Sequence, residues 1–109
     1  MIRHIVLVKA QEDAVGQLEQ AFQQIGRLVG RLDGALSYAY GPSDSPERIE
    51  RGYTHGLVID FADLEALHDY SVDAEHVAAG AVIAGSAVGG PEGLLVMDLD
   101  TANGGSSTP

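Results

Sequence analysis

The segment Ile2–Val8, IRHIVLV, has no polar face, and this constrains the fold more than any other feature of the chain. Strand alternation places His4, Val6 and Val8 on one side and Ile5 and Leu7 on the other. Its β-branched content favours an extended conformation. A strand that is apolar on both sides must be covered on both. The closing segment Leu94–Leu99, LLVMDL, has the same two-sided character, so the requirement extends to a whole sheet.

Between these strands, Val15, Leu18, Phe22, Ile25, Leu28, Val29 and Leu32 recur at helical spacing. They predict a helix with Asp13 as its N-cap and Asp33–Gly34 as its end. Ala35–Tyr40 reads as a second strand, with Leu36, Tyr38 and Tyr40 on one face. The turn-rich run Gly41–Pro46 is a loop, and the charged Glu47–Arg51 that follows is exposed. In the third strand, Tyr53–Phe61, the residues Tyr53, His55, Leu57, Ile59 and Phe61 face away from Thr54, Gly56, Val58 and Asp60. Gly56 leaves room for another backbone or a ligand to come close.

Asp63 is placed to cap a short helix running to Tyr70, with Leu64, Leu67 and Ser71 inward. Asp73 restarts a helix across Ala74–Val88, rich in Ala and Gly and suited to close packing, and Gly89-Gly90-Pro91 stops it. The order β-α-β-β-α(α)-β is α+β, the split pattern of a ferredoxin-like βαββαβ unit whose second helical region is broken in two. Its helices cover one face of a four-stranded sheet. A homodimer joined through the sheet face is the simplest cover for the other. Residues 1–100 make a single domain, and TANGGSSTP at 101–109 has the composition of a flexible tail.

Sixteen acids against six bases give a net charge of −10, which repels phosphate backbones and anionic lipid surfaces. The bases are scattered in sequence. Nucleic acid and membrane are therefore not expected as partners, and no apolar run is long enough to span a bilayer. With no cysteine there is no disulfide framework and no thiolate nucleophile, and a cytoplasmic location is the default. The histidines show no metal-ligand spacing, and neither a dinucleotide fingerprint, a Walker pattern nor a nucleophile elbow is present. No metal and no cofactor is expected.

What remains is the stretch Gly52–His76, which carries His55, Tyr70 and His76 among apolar neighbours. A strand histidine, a helix tyrosine and a histidine at a new helix start are candidates to converge on one small-molecule pocket. His68 is expected on the surface. If Asp73 is the N-cap, His76 lies in the first turn, where the helix dipole disfavours imidazolium and Glu75 favours it. A neutral imidazole is what a general base requires near neutral pH, and a tyrosine hydroxyl can stabilise a developing enolate. Phe22, Ile25 and Leu57 are candidate pocket walls, with His4 and His55 in supporting positions.

The opening RHIVLVK, the block GYTHGLVIDF, the later Tyr70 and the EHVA of Glu75–Ala78 resemble the stress-responsive A/B barrel (Dabb) family over residues 2 to 100. That resemblance implies a dimeric α/β barrel built from ferredoxin-like subunits. It is also similar, in its His/Tyr set, to a plant branch that closes polyketide rings by an aldol reaction without metal or cofactor. Carried over position by position, the resemblance makes Tyr70 and His76 the catalytic pair, with His4 and His55 nearby. Two departures stand out: the residues before His76 are Asp73-Ala74-Glu75 in place of a proline-containing approach, and the last helix is unusually rich in Gly and Ala.

The expectation is a cofactor-independent cyclase, lyase or isomerase using His/Tyr acid–base chemistry on a β-carbonyl substrate. Two alternatives stay open from the sequence: a non-catalytic stress-responsive or small-ligand-binding dimer, and a cofactor-free monooxygenase of related architecture.

Overall fold

The β-branched segment Ile2–Val8 (β1) lies inside the sheet and pairs antiparallel with strands on both sides. In the computed structural model of the protein, which describes residues 1–101, the other elements are α1 (Val15–Arg31), β2 (Ala35–Pro42), β3 (His55–Phe61), α2 (Leu64–Val72), α3 (Ala74–Gly85) and β4 (Leu94–Asp100). The four strands run in the order β2-β3-β1-β4, every neighbouring pair antiparallel. This is the ferredoxin-like α+β fold. The expected tail lies outside the described residues except for Thr101, whose amide donates to the Met1 carbonyl at 2.9 Å. Among the described residues, no helix is long and apolar enough to cross a membrane.

All three helices lie on one face of the sheet. Leu18, Ala21, Phe22, Ile25, Leu28 and Val29 form the buried stripe of α1 and pack on Val8, Leu57, Ile59 and Phe61. Burying such side chains contributes about 1.5–3 kcal/mol each, and this layer is the main source of stability. Tyr38 fastens β2 to α1 by donating to the Phe22 carbonyl at 2.7 Å. Ala79 and Ile83 turn α3 inward, and α3 packs against α1. Gly34 lets α2 settle on the β2 end, because any side chain there would collide with Ala66.

The other face is open. Register places Ile5 and Leu7 of β1 beside Val58 of β3 and Met97 and Leu95 of β4, with Leu99 further along. Met97 is 51% exposed and Leu99 40%. Arg3 and Asp60 make a two-point ion pair at one margin of this face, at 2.8 and 3.1 Å.

Several local expectations shift. Asp13 does not cap α1: it lies inside a 3-10 turn, Glu12–Ala14, that precedes the helix, and the start is held by Gln11 donating to the Ser86 carbonyl. Leu36 leaves the face of Tyr38 and Tyr40 because the β2–β3 register slips between Ala35 and Ser37. β2 continues to Pro42, which an edge strand tolerates, and β3 begins only at His55. Leu64 and Ser71 point outward, since burying Tyr70 phases α2 so that Ala66, Leu67 and Tyr70 face the core. α3 stops at Gly85, where Ser86 is fully buried and its hydroxyl donates to the Val82 carbonyl. The space over Gly56 is taken by Leu7. Finally, the bases are less scattered in space than in sequence. Arg48 and Arg51 line one hollow beside Tyr53, and the Lys9 ammonium sits 5.0 Å from the centre of the Tyr53 ring.

Candidate active site

Asp73 alone separates α2 from α3. Its carboxylate accepts from the Glu75 amide at 2.8 Å, as an N-cap should, while its own amide donates to the Tyr70 carbonyl. Asp63 caps α2 in the same way through the Ala66 amide. The break turns the chain so that Tyr70, from the last turn of α2, meets His76, from the first turn of α3. Their ring centroids are 4.3 Å apart.

The His76 ring has a defined tautomer. Its Nδ1 lies 3.0 Å from the Ser71 carbonyl oxygen, one of the acceptors that the end of α2 leaves without a helical partner. A carbonyl only accepts, so Nδ1 carries the proton and Nε2 keeps its lone pair. Burial holds the imidazole below its ordinary pKa. The bond to Ser71 opposes this, the His4 ring adds to it, and the Asp73 carboxylate opposes it again. The sequence argument put weight on Glu75, but that carboxylate is engaged by Arg31 at 3.0 Å.

Tyr70 is only 2% exposed, and its ring is enclosed by Phe61, His4 and His76. Burial pushes the phenol pKa up, so the hydroxyl stays protonated and acts as a donor. No protein acceptor holds it among the described residues. His4 is also nearly buried, and its Nδ1 donates to the Asp98 carboxylate at 2.6 Å.

These groups border one cavity of about 240 Å³, between α3 and the β1–β4 side of the sheet. Val6, Leu57, Ile83, Leu94 and Val96 supply its apolar walls, and Gly80 lies beside His76. Val96 is 54% exposed on the edge strand β4 and marks the mouth. A larger trough of about 750 Å³ runs between α1 and α3, lined by glutamines and Arg27. Its polar lining is glutamine amides and one guanidinium, with no histidine, carboxylate or phenol for acid–base work.

The structure thus brings together His4, Leu57, Tyr70 and His76. It does not bring in His55, which lines a separate hollow with Tyr53 and Glu50 and bonds to Thr54 at 2.9 Å. Phe22 and Ile25 are fully buried in the α1 layer and line no part of this cavity. His68 is exposed on α2. Among the described residues, no three His, Asp or Glu side chains are grouped to hold a metal ion. The sequence reading missed Asp98 and Gly80. A signal for Asp98 was available: it is an acid in a strand apolar on both faces, on the side shared by Leu94 and Val96 and opposite His4.

A family model for the stress responsive A/B barrel domain matches residues 2–99. Olivetolic acid cyclase of Cannabis sativa is 26% identical over 82 residues, covering 74% of this chain and 81% of the cyclase. A dimeric ferredoxin-like protein from Jannaschia sp. CCS1 superposes with a TM-score of 0.87 at 29% identity, over 91% of this chain and 97% of that one. Hydroxynitrile lyase from Passiflora edulis shares the fold at a TM-score of 0.72 and 15% identity, over 99% and 96%. Strand order, helix placement and a family match running almost from end to end agree: this chain belongs to the stress responsive A/B barrel domain family.

Proposed function

We propose that the cavity carries out cofactor-independent acid–base chemistry on a small β-carbonyl compound, as a cyclase, lyase or isomerase would. The observation that carries this reading is the pairing of His76 with Tyr70. A half-buried imidazole with its lone pair left on Nε2 lies against a protonated phenol without a protein acceptor. In this mechanism His76 Nε2 removes a proton from the carbon next to a carbonyl, and the Tyr70 hydroxyl donates to the enolate oxygen as charge builds there. The apolar walls strengthen both interactions by excluding water. Asp98 orients His4, which packs edge-on against Tyr70 at 5.7 Å and fixes its ring. The cyclase relative, whose name describes ring closure, supports a ring-closing role.

The working form is proposed to be a homodimer closed through the open sheet face. Ile5, Leu7, Val58, Leu95, Met97 and Leu99 form an apolar surface there, and the Jannaschia relative is described as dimeric. The absence of cysteine fits a cytoplasmic setting.

Proton transfer is tested by following deuterium uptake at the methylene carbon of ethyl acetoacetate, a small β-carbonyl compound, in D2O. The protein should accelerate uptake over buffer, His76→Gln should abolish the acceleration, and Tyr70→Phe should reduce it. Uptake no faster than in buffer, or unaffected by both substitutions, removes the mechanism.

A further inference from the structure

The chain has six bases, all within the described residues, and each can be located. Arg3 is bound to Asp60 on the open face of the sheet. Arg27 lies in the α1–α3 trough, and Lys9, Arg48 and Arg51 gather around Tyr53. Arg31 lies at the α2–α3 break, shared between Asp73 at 3.2 Å and Glu75 at 3.0 Å. None of the six lines the cavity beside Tyr70 and His76.

Two other routes to holding an anion are also closed. The start of α3, which a phosphate or carboxylate would otherwise exploit, is capped by the Asp73 carboxylate, which accepts from the Glu75 amide at 2.8 Å. Burial also keeps His76 neutral, so it brings no compensating positive charge near neutral pH. Meanwhile Asp98 already accepts from the His4 Nδ1–H at 2.6 Å, so that ring nitrogen is not free to receive an anion. An anion entering here would lose its hydration and gain the Tyr70 hydroxyl as a donor but no Lys or Arg to balance its charge.

We infer that this cavity selects neutral carbonyl compounds, such as ketones, aldehydes or esters, and rejects carboxylates and phosphorylated ligands of the same size. The inference rests on the cavity being the functional site, as proposed above, and specifies the chemical class of its substrate. A neutral carbonyl oxygen satisfies the Tyr70 hydroxyl, and its apolar remainder matches the walls. The acceptor at His76 Nε2 faces the polarised C–H bond and needs no charge on the ligand. Selectivity arises from three features together: no Lys or Arg at the wall, a capped helix start, and a His4 N–H already taken by Asp98.

The test compares acetophenone with benzoate, similar in size and different in charge, by amide shifts of Tyr70, His76 and Gly80 in the isotope-labelled full chain at pH 7.5. Acetophenone should give saturable shifts at all three, and benzoate should bind more weakly by at least about tenfold, given its unpaired desolvation. Val96→Arg, which places a cation at the exposed mouth, should shift the ratio of benzoate to acetophenone affinity by about tenfold toward benzoate. Benzoate binding as tightly as acetophenone to the native chain overturns the inference, and so does the absence of shifts from either compound. Acetophenone selectivity without enhanced deuterium uptake leaves this inference standing and removes only the catalytic mechanism.

Discussion

The Tyr70 and His76 rings lie 4.3 Å apart between centroids, with their planes inclined at 49°, and neither residue belongs to the helix of the other. The first consequence concerns Tyr70→Phe. The hydroxyl has no protein acceptor among the described residues, so its removal costs the fold little, within about 0.5 kcal/mol. Turnover should fall by about 10²-fold, the usual loss for one donor to a developing oxyanion. Thermal unfolding and kcat measured on the same preparation separate the two effects.

His76 sets a pH dependence. Its folded pKa is held below the ordinary value of about 6.5, so in acid the unfolded chain binds the proton more readily. The stability this provides is fully present above about pH 6.5 and is lost as pH falls through the lower folded value. Denaturant titrations should show it, and His76→Gln should flatten that part of the profile. Activity should share this acid limb. Tyr70 should add no alkaline limb below about pH 10, because burial raises its phenol further.

Asp98 is expected to act through His4. Asp98→Asn retains an oxygen acceptor for Nδ1 and should retain most activity. Asp98→Ala leaves a nearly buried N–H without that partner and should cost about 1 kcal/mol in stability. If the Ala variant loses kcat while the Asn variant recovers it with KM unchanged, orientation is the role.

Gly80 separates stability from function in opposite directions. A Cβ there would stand 3.9 Å from His76 Nε2, an ordinary contact, and alanine gains about 0.5–1 kcal/mol over glycine inside a helix. Gly80→Ala should therefore melt higher while binding acetophenone less well. Gly80→Val should deepen the binding loss. A rise in both quantities would mean that ligands do not approach His76 from this side.

The open sheet face gives an assembly prediction. Met97→Lys or Val58→Lys places a charge on the apolar surface without touching the α1 layer. Light scattering should register a fall from dimer to monomer mass, with helix content by circular dichroism preserved.

Much of the fold was legible because hydrophobic periodicity records it directly. The Leu18-to-Val29 stripe and the two-sided β1 each require the partners they have. The cap residues Asp63 and Asp73 were legible because capping is local chemistry. Other features depend on information that no short window contains. Leu36 leaves its face through a register slip set by pairing with β3, and α2 is phased by where the large Tyr70 ring fits. At the site, His76 and Tyr70 could be singled out by residue type and position. His55 shares their polar aromatic character, but it lies at the opposite end of β3 from Phe61, the residue that packs on Tyr70. The pairing of His4 with Asp98 spans 94 positions, and only the β1–β4 register makes it visible.

Six positions separate Tyr70 from His76. In an unbroken helix at 3.6 residues per turn, they would be turned about 120° from each other around the axis, too far apart to face one ligand. The one-residue interruption at Asp73 cancels that rotation. A stabilisation campaign would be drawn to this place, since fusing α2 and α3 into one long helix removes a flaw in the backbone ladder. The fused protein would keep both side chains and lose the encounter between them. In this chain the reactive geometry is encoded by a gap in regular structure, and sequence variation at that gap could change the chemistry while leaving Tyr70 and His76 in place.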